Sequence, residues 1–557
     1  MAVADRVFVG GTIVTMDPLR PEAEALATVG KRIFAVGTRA DVLKFKGAHT
    51  RVVDLDGATL LPGFVEAHGH PLLTGASWGD PVVDIRAIHT PTYEAALAKI
   101  RRRVAKAEAG EPLWFLGLDP QLHRGMREPT MADLDAIAPN NPICVQTSNF
   151  HVVYANSAAI RLASNARDIP TPKGGQIYKD KNGLPWKFQE TAAKLIRAPF
   201  VRYWGEDRVA REFNAWMWHY AHSGYTSTTE IGGMPGWPLE CERMIRRSKP
   251  PARLFGYEMC QLDGAASVAV DHGDDTFRVV GAKIVADGSP FAGNIWVSRP
   301  YLNTDITLRN MGLPRDHTGH MNWSAQDLET LVMAYAAKGY QIATHCQGDR
   351  AIDLVLGVYA EALARFPEAR RPFRLEHCAL MTEQQIDRAV SLGVVSSYFL
   401  PHIYYWGEAV RDHLFGPERA EHYMPAGSAV RRGMRVSYHT DPPMTWPNAL
   451  LCLHLAVTRR SLAGNVIGAA EAVDIDTALK GVTIDAAYHI GMADKIGSLT
   501  PGKYADFVVL GCNPRTCNPE KILDIPILGT WVGGSEVWNA KMGDHKPIDF
   551  AVPVVDA

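Results

Sequence analysis

Cysteine is scarce in this chain: eight residues in 557, too few for a disulfide scaffold at that length. Cys512 and Cys517 form a C-x4-C with no second half, which argues against a structural zinc site there. Charge of one sign is lacking too. The formal net charge is -2, and the one basic run, Arg101-Arg102-Arg103, is short enough to decorate a solvated helix. No electrostatic nucleic-acid partner is expected. No apolar window is long enough to span a bilayer, and the stretch from Met1 to Gly11 lacks a basic region followed by an apolar one. The expectation is a cytoplasmic protein that acts on a small molecule, with neither membrane nor nucleic acid as partner.

What is present is ordinary globular material, 46% hydrophobic and 21% charged. A chain of 557 residues exceeds one compact core, so two or three domains are expected. Residues 5–60 read as short strands, including Arg6–Val9, Ala25–Val29 and Arg51–Leu55, separated by turns at Gly10-Gly11, Asp17-Pro18 and Asp56-Gly57. At the other end, Phe507–Leu510 reads as a buried strand, and Ile527–Trp538 as a hairpin around Gly533-Gly534. A small β-sandwich domain built from both chain ends, residues 1–60 with 491–557, follows as an expectation.

Between the ends, strands alternate with helices. Ser324 and Asp327 mark a helix start, and Leu328, Leu331, Val332 and Tyr335 give the period of one buried face. The strand Gln341–Thr344 follows and runs into His345. Counting Leu61–Ala67, Tyr225–Glu230, Arg253–Glu258, Phe277–Ile284, Phe373–Glu376, Val394–Tyr398 and Met434–Tyr438 with it, there are eight strand candidates. That count in βα alternation predicts an α/β fold, a (β/α)8 TIM barrel over 61–490. The connection spanning 72–204 is far longer than a crossover needs, and is expected to form a lid over the active-site face.

The run Leu60–His70 ends in His68-Gly69-His70. In an extended strand, residues i and i+2 share a face, so two imidazoles could grip one metal ion. Taken alone, the pair reads more readily as two histidines in a polar loop. Other strand ends change the balance: His345, His377 and Asp441 follow three strands, and Lys283 lies within a fourth. All face the end where barrel enzymes place their chemistry.

His-x-His on the first strand, Lys on the fourth, His on the fifth and sixth, and Asp on the eighth resemble the amidohydrolase superfamily. The stretches Leu61–His70, Thr344–Asp353 and Arg374-Leu-Glu-His-Cys378, with Asn156-Ser157 and Lys283–Ser289, resemble the branch called amidohydrolase family 3, which includes N-substituted formamide deformylases. The resemblance implies two divalent metals per chain, zinc by donor type, with manganese, iron or cobalt as alternatives. It implies that His68, His70 and Asp441 hold one ion, and His345 with His377 the other. A CO2-derived carbamate on Lys283 and a hydroxide would bridge them, and Asp441 would act as general base and acid. The implied activity is hydrolysis of a C–N bond in an amide, N-formyl compound or cyclic amide. A homodimer is the family expectation. Alternatives on the same scaffold are a one-metal aminohydrolase, against which Lys283 weighs, and an esterase or lactonase. A non-catalytic binding protein would lack ligands that are all present here.

Three positions depart from the common pattern. Glu66 replaces the usual Asp; Cys346 and Cys378 follow two of the histidines, where alternation favours packing; and His439 precedes Asp441 by two residues and could contact substrate or a ligand. Aromatic residues after the strands, Trp78, Trp296 and Tyr398 among them, suggest an apolar pocket. His151 in the long insertion joins them as a substrate-contact candidate.

Overall fold

The computed structural model describes residues 3–164, 169–367 and 371–541. Eight strands form one parallel sheet, in the order Phe64–Val65, Tyr225–Ile231, Arg253–Met259, Phe277–Val285, Gln341–Cys346, Arg374–His377, Val395–Tyr398, Val436–Tyr438. The second and third are buried along their whole length, as strands covered on both faces must be. The sheet is curled, and a hydrogen bond links the loops that follow its first and last strands. In it the Glu66 carboxylate accepts from the Thr440 amide at 3.1 Å. The helices that cover it begin where the sequence signals them. Ser324 accepts from the Asp327 amide to start Ala325–Ala336, and Thr382 with Gln385 forms a reciprocal cap on Glu383–Ser391.

The first strand differs from the expected Leu61–Ala67. Thr59–Pro62 belongs to another sheet, paired antiparallel with Phe507–Leu510, and only Phe64–Val65 joins the parallel sheet. Gly63 is the changeover: its amide donates to the Asp506 carbonyl, and the next amide, Phe64, donates to Gly224. A side chain at Gly63 would meet the Thr226 side chain at 2.2 Å. Gly63→Ala is therefore expected to destabilise the protein by about 1–3 kcal/mol through overpacking. Urea unfolding checks this, and an unchanged midpoint would show that the seam has room.

The sheet that holds Thr59–Pro62 draws on both chain ends, with Ser535–Asn539, Ile527–Val532 and Phe507–Leu510 on one side and Thr12–Val14 and Glu22–Ala23 on the other. A four-stranded sheet of Arg32–Gly37, Ala25–Val29, Arg6–Val9 and Arg51–Asp54 lies against it. Phe8 makes edge contacts to Phe507 and Trp531 at 4.9 and 5.0 Å. Of the expected C-terminal segment, residues 542–557 lie outside the described residues.

The long insertion folds as a six-stranded sheet, from Val83–Asp84 through Leu118, Thr147 and Ala155 to the hairpin Gly175–Lys179/Pro185–Glu190. Asn156 caps the short helix Ser157–Ala163 by accepting from the Ala159 amide. The helix Thr191–Trp204 follows the hairpin directly, and this junction brings the insertion to the site. Among the described residues, no helix is long and apolar enough to cross a membrane.

Candidate metal centre

His68 and His70 lie just past the first strand, on the loop entering the helix Pro71–Ser77. Each has one ring nitrogen already engaged. His68 Nδ1 is 2.6 Å from Glu376 Oε2, and Arg374 fixes that carboxylate with contacts of 2.8 and 3.0 Å. His70 Nδ1 is 3.3 Å from Glu230 Oε1 and 3.2 Å from the Gly232 carbonyl. Both Nε2 atoms are thereby turned towards Asp441 Oδ1, at 3.7 Å from His68 and 3.3 Å from His70. Asp441 Oδ1 is buried and accepts no hydrogen bond of regular geometry.

The donor set fits a divalent cation. Ligand atoms on a tetrahedral zinc at about 2.0–2.2 Å stand roughly 3.3–3.6 Å from one another. Carboxylates holding the far nitrogens of ligating histidines are the usual outer support of such sites, and an unpartnered buried carboxylate oxygen needs a cation or donor. A second group of ligand atoms within reach of one another is His68, His377 and His439.

His377 reaches the site through its backbone. On Arg374–His377 the alternation sends Arg374 and Glu376 to the interior and Leu375 to the apolar core, so His377 would follow Leu375. Left-handed φ values of 72° at His377 and 52° at Cys378 turn it back. Asp441, with φ 50°, and Glu190, with φ 55°, share this unusual conformation. Such strain outside glycine gathers at functional sites. His377 Nδ1 stands 3.0 Å from His439 Nε2 and 4.0 Å from Asp441 Oδ2. The rings of His345 and His377 are 4.5 Å apart, and His345 Nε2 is 2.7 Å from the Gly288 carbonyl. Lys283 Nζ lies 3.4 Å from His68 Nε2. Gly232, at φ 84°, makes room for it, because a Cβ there would stand 2.7 Å from Lys283 Cγ.

All six positions singled out by the strand-end pattern line one cavity of about 140 Å³: His68, His70, Lys283, His345, His377 and Asp441. His151 lines it as well. Its Nδ1 is 2.8 Å from Glu190 Oε1, and its ring is 5.2 Å from that of His345. His439 is buried behind His68, its ring stacked at 4.6 Å, with Nδ1 2.7 Å from Ser397 Oγ. Trp78, Trp296 and Tyr398 are not brought to this cavity. Trp78 packs edge-on to Trp446 at 4.9 Å, Trp296 lies beneath the Arg350 guanidinium at 5.6 Å, and Tyr398 is fully buried in the core. Cys346 and Cys378 pack in the apolar core, as alternation suggested. The residues missed are the ring holders Glu376, Arg374 and Glu230, and Glu190 from the insertion. Charged residues spaced by two on an otherwise apolar strand, as in Arg374-Leu-Glu376, were the available signal.

Burial pulls His68, His345, His377 and His439 well below the usual imidazole range, so they stand neutral and ready to ligate. Burial also pulls on His70, but Asp441 and Glu230 outweigh it and raise this group to about 9. Burial lowers Lys283 to about 8 and raises Glu66 to about 8. In the metal-free protein the His70 ion pairs therefore stabilise the fold fully below its ordinary pKa of about 6.5, and that contribution is lost as pH rises through about 9. A metal must displace that proton. Its affinity is expected to climb from pH 7 to 9 by up to about tenfold per unit and then to flatten. Competition titration with a chromophoric chelator measures this; a flat profile would contradict it.

The sequence pattern of the amidohydrolase family matches residues 51–538. An N-substituted formamide deformylase from Arthrobacter pascens is 28% identical, over 95% of this chain and 97% of its own. Protein LONG AFTER FAR-RED 3 from Arabidopsis thaliana is 26% identical, over 96% of this chain and 92% of its own. Among solved structures, an uncharacterized metal-dependent hydrolase from Pyrococcus horikoshii superposes with a TM-score of 0.69 at 21% identity, covering 92% of this chain and 99% of that one. That last likeness is one of fold.

Proposed function

The chain belongs to the amidohydrolase family and is a hydrolase of C–N bonds, and from that premise we propose that it cleaves an amide, N-formyl or cyclic amide bond in a small aromatic or apolar substrate. The observation that carries the metal-dependent reading is the convergence of His68 Nε2 and His70 Nε2 on Asp441 Oδ1, a buried oxygen that accepts no hydrogen bond of regular geometry. His68, His70 and Asp441 would hold the first ion, and His345 with His377 a second, zinc being the best match to these donors. Divalent metal bound there lowers the pKa of water towards neutrality and polarises a carbonyl.

The chain's own groups do the rest. Asp441 takes the proton of the attacking water and delivers it to the departing nitrogen. Glu376 and Glu230 hold the two imidazoles in the tautomer that presents Nε2. Glu66 ties the loop of His68 to that of Asp441, accepting from the His68 amide at 3.3 Å and the Thr440 amide at 3.1 Å. We assign Lys283 as the site of a carbamate: its amine nitrogen would bond to the carbon of CO2 and release a proton, giving an anionic oxygen donor in place of a cation. Burial supports this by freeing part of the amine near neutral pH.

The closed (β/α)8 barrel over 61–490, the β-sandwich of 1–60 with 491–557, and a lid over 72–204 belong to the same proposal. His151 and Glu190 on the cavity wall support the lid. The test is a screen of the metal-loaded protein against N-formyl amines, N-acyl aromatic amines and cyclic amides. Chelator-sensitive release of amine or ring opening supports the proposal. Ammonia release from an aminated heterocycle, with every amide untouched, would replace it with a deaminase.

A further inference from the structure

The metal cavity does not end at the histidines. Leu73, Lys194, Arg197 and Gly233 line both it and a neighbouring cavity of about 400 Å³. The walls of the second cavity include Leu72, Ala76, Val209, Trp237 and Met244, an apolar body-sized space. At the neck between them stand two cations from one helix.

Glu190, Lys194 and Arg197 are spaced i, i+4, i+7 at the start of Thr191–Trp204 and share one face. Glu190 is occupied by His151 at 2.8 Å and by Asn294 Nδ2 at 2.6 Å. Lys194 Nζ donates once, to the Gly233 carbonyl at 2.5 Å, leaving two N–H groups. Arg197 makes no ion pair or hydrogen bond among the described residues, and the anion that favours its charge, Glu190, acts only through space. The acids on the outer rim, Glu206 and Glu240, are held by Arg243 at 3.1 and 2.7 Å. Two half-buried cations one turn apart repel each other, and no carboxylate bonds either of them directly, since Glu190 is taken by His151 and Asn294. Burial, then Arg197, lowers Lys194 to about 8, which still leaves it charged at neutral pH.

We propose that Lys194 and Arg197 form a carboxylate subsite between the metal centre and the apolar cavity, so that preferred substrates are amides whose apolar body carries a carboxylate beside the scissile bond. This rests on the amide-hydrolase reading above. A singly charged carboxylate suits the neck, since Glu190 on the same face would repel a dianion such as phosphate. The Arg197 guanidinium can hold it through two parallel N–H groups, with Lys194 as a point charge.

The test uses a matched pair, N-formylphenylalanine and N-formylphenethylamine, which differ only in the carboxylate. The wild type is expected to favour the acid by about tenfold or more in kcat/KM, as a charge-assisted hydrogen bond allows. Arg197→Gln should erase that ratio through KM, and Arg197→Lys should keep part of it. Lys194→Met gives a second reading of the same ratio should Arg197→Gln fail to fold. Calorimetric binding of 3-phenylpropanoate against 3-phenylpropan-1-ol, in the same proteins, needs no turnover. Binding of the acid that depends on Arg197, with neither amide cleaved, would uphold the subsite and overturn the N-formyl amide as the bond cleaved. Equal cleavage of both amides, with binding indifferent to Arg197, would overturn the subsite and leave the hydrolase reading intact. No cleavage and no preference would overturn the subsite and the N-formyl assignment together.

Discussion

Asp441→Asn is expected to abolish hydrolysis, lowering kcat/KM by about 10³-fold or more, while the folded protein keeps its unfolding midpoint. Loss of a positioned proton carrier alone costs about 10²–10⁴-fold, and a metal ligand is lost with it. Asparagine is the right replacement for two local reasons. Residue 441 sits at φ 50°, a conformation that Asn tolerates better than most residues. The amide is also isosteric, so it removes the buried charge and its ion pair with His70 while Glu230 still holds that ring. The measurements are kcat/KM, bound metal per chain and a thermal melt. Full activity in the folded variant would refute the proton-transfer role.

Lys283→Ala is expected to lower the bound metal from about two ions per chain to one, with a parallel fall in kcat of about 10²-fold or more. A lysine amine that carried its ordinary charge would repel cations beside His68, 3.4 Å away. As a carbamate it becomes an anion at the same place. The alanine variant removes that anion and leaves the space bounded by Gly232, so added propionate or bicarbonate should restore part of the metal content if the cavity accepts a small acid. Metal analysis after gel filtration decides the matter. One equivalent in both proteins would remove the two-ion proposal while leaving the His68, His70 and Asp441 site untouched.

The two variants probe positions that the sequence made visible, and the reason is geometric. Strand ends in a parallel sheet all point one way, so His345, Lys283 and Asp441 could be placed at one face from the βα alternation alone. His68 and His70 line the same cavity by a different route. They are not on the strand; the loop after Phe64–Val65 presents them, because Gly63 passes the chain from one sheet to the next. His377 was visible as a residue but not in its direction, which depends on two left-handed backbone angles that no side-chain pattern encodes. Glu376 and Glu230, whose carboxylates aim the imidazoles, were hidden because they look like ordinary members of strands. Glu190, Lys194 and Arg197 were hidden more deeply. They belong to the insertion, and which of its faces meets the histidines is settled only by packing across more than a hundred residues of chain. The aromatics lie elsewhere: Trp78, Trp296 and Tyr398 follow strands, yet Trp78 packs on Trp446, Trp296 beneath Arg350 and Tyr398 in the core.

The clasp between Glu66 and Thr440 spans 374 residues of sequence, and the strand before Gly63 is completed only by Phe507–Leu510. Contacts of such separation form late, because the entropy of closing so long a loop must be met before they give anything back. On the ribosome the first half of the site waits for nearly the whole polypeptide to emerge. Until then His68 and His70 are two unaimed imidazoles, with neither Glu376 nor Asp441 to oppose them. Incorporation of metal is therefore a property of the finished chain rather than of any nascent fragment, and a ribosome-stalled product ending before residue 441 would emerge without it.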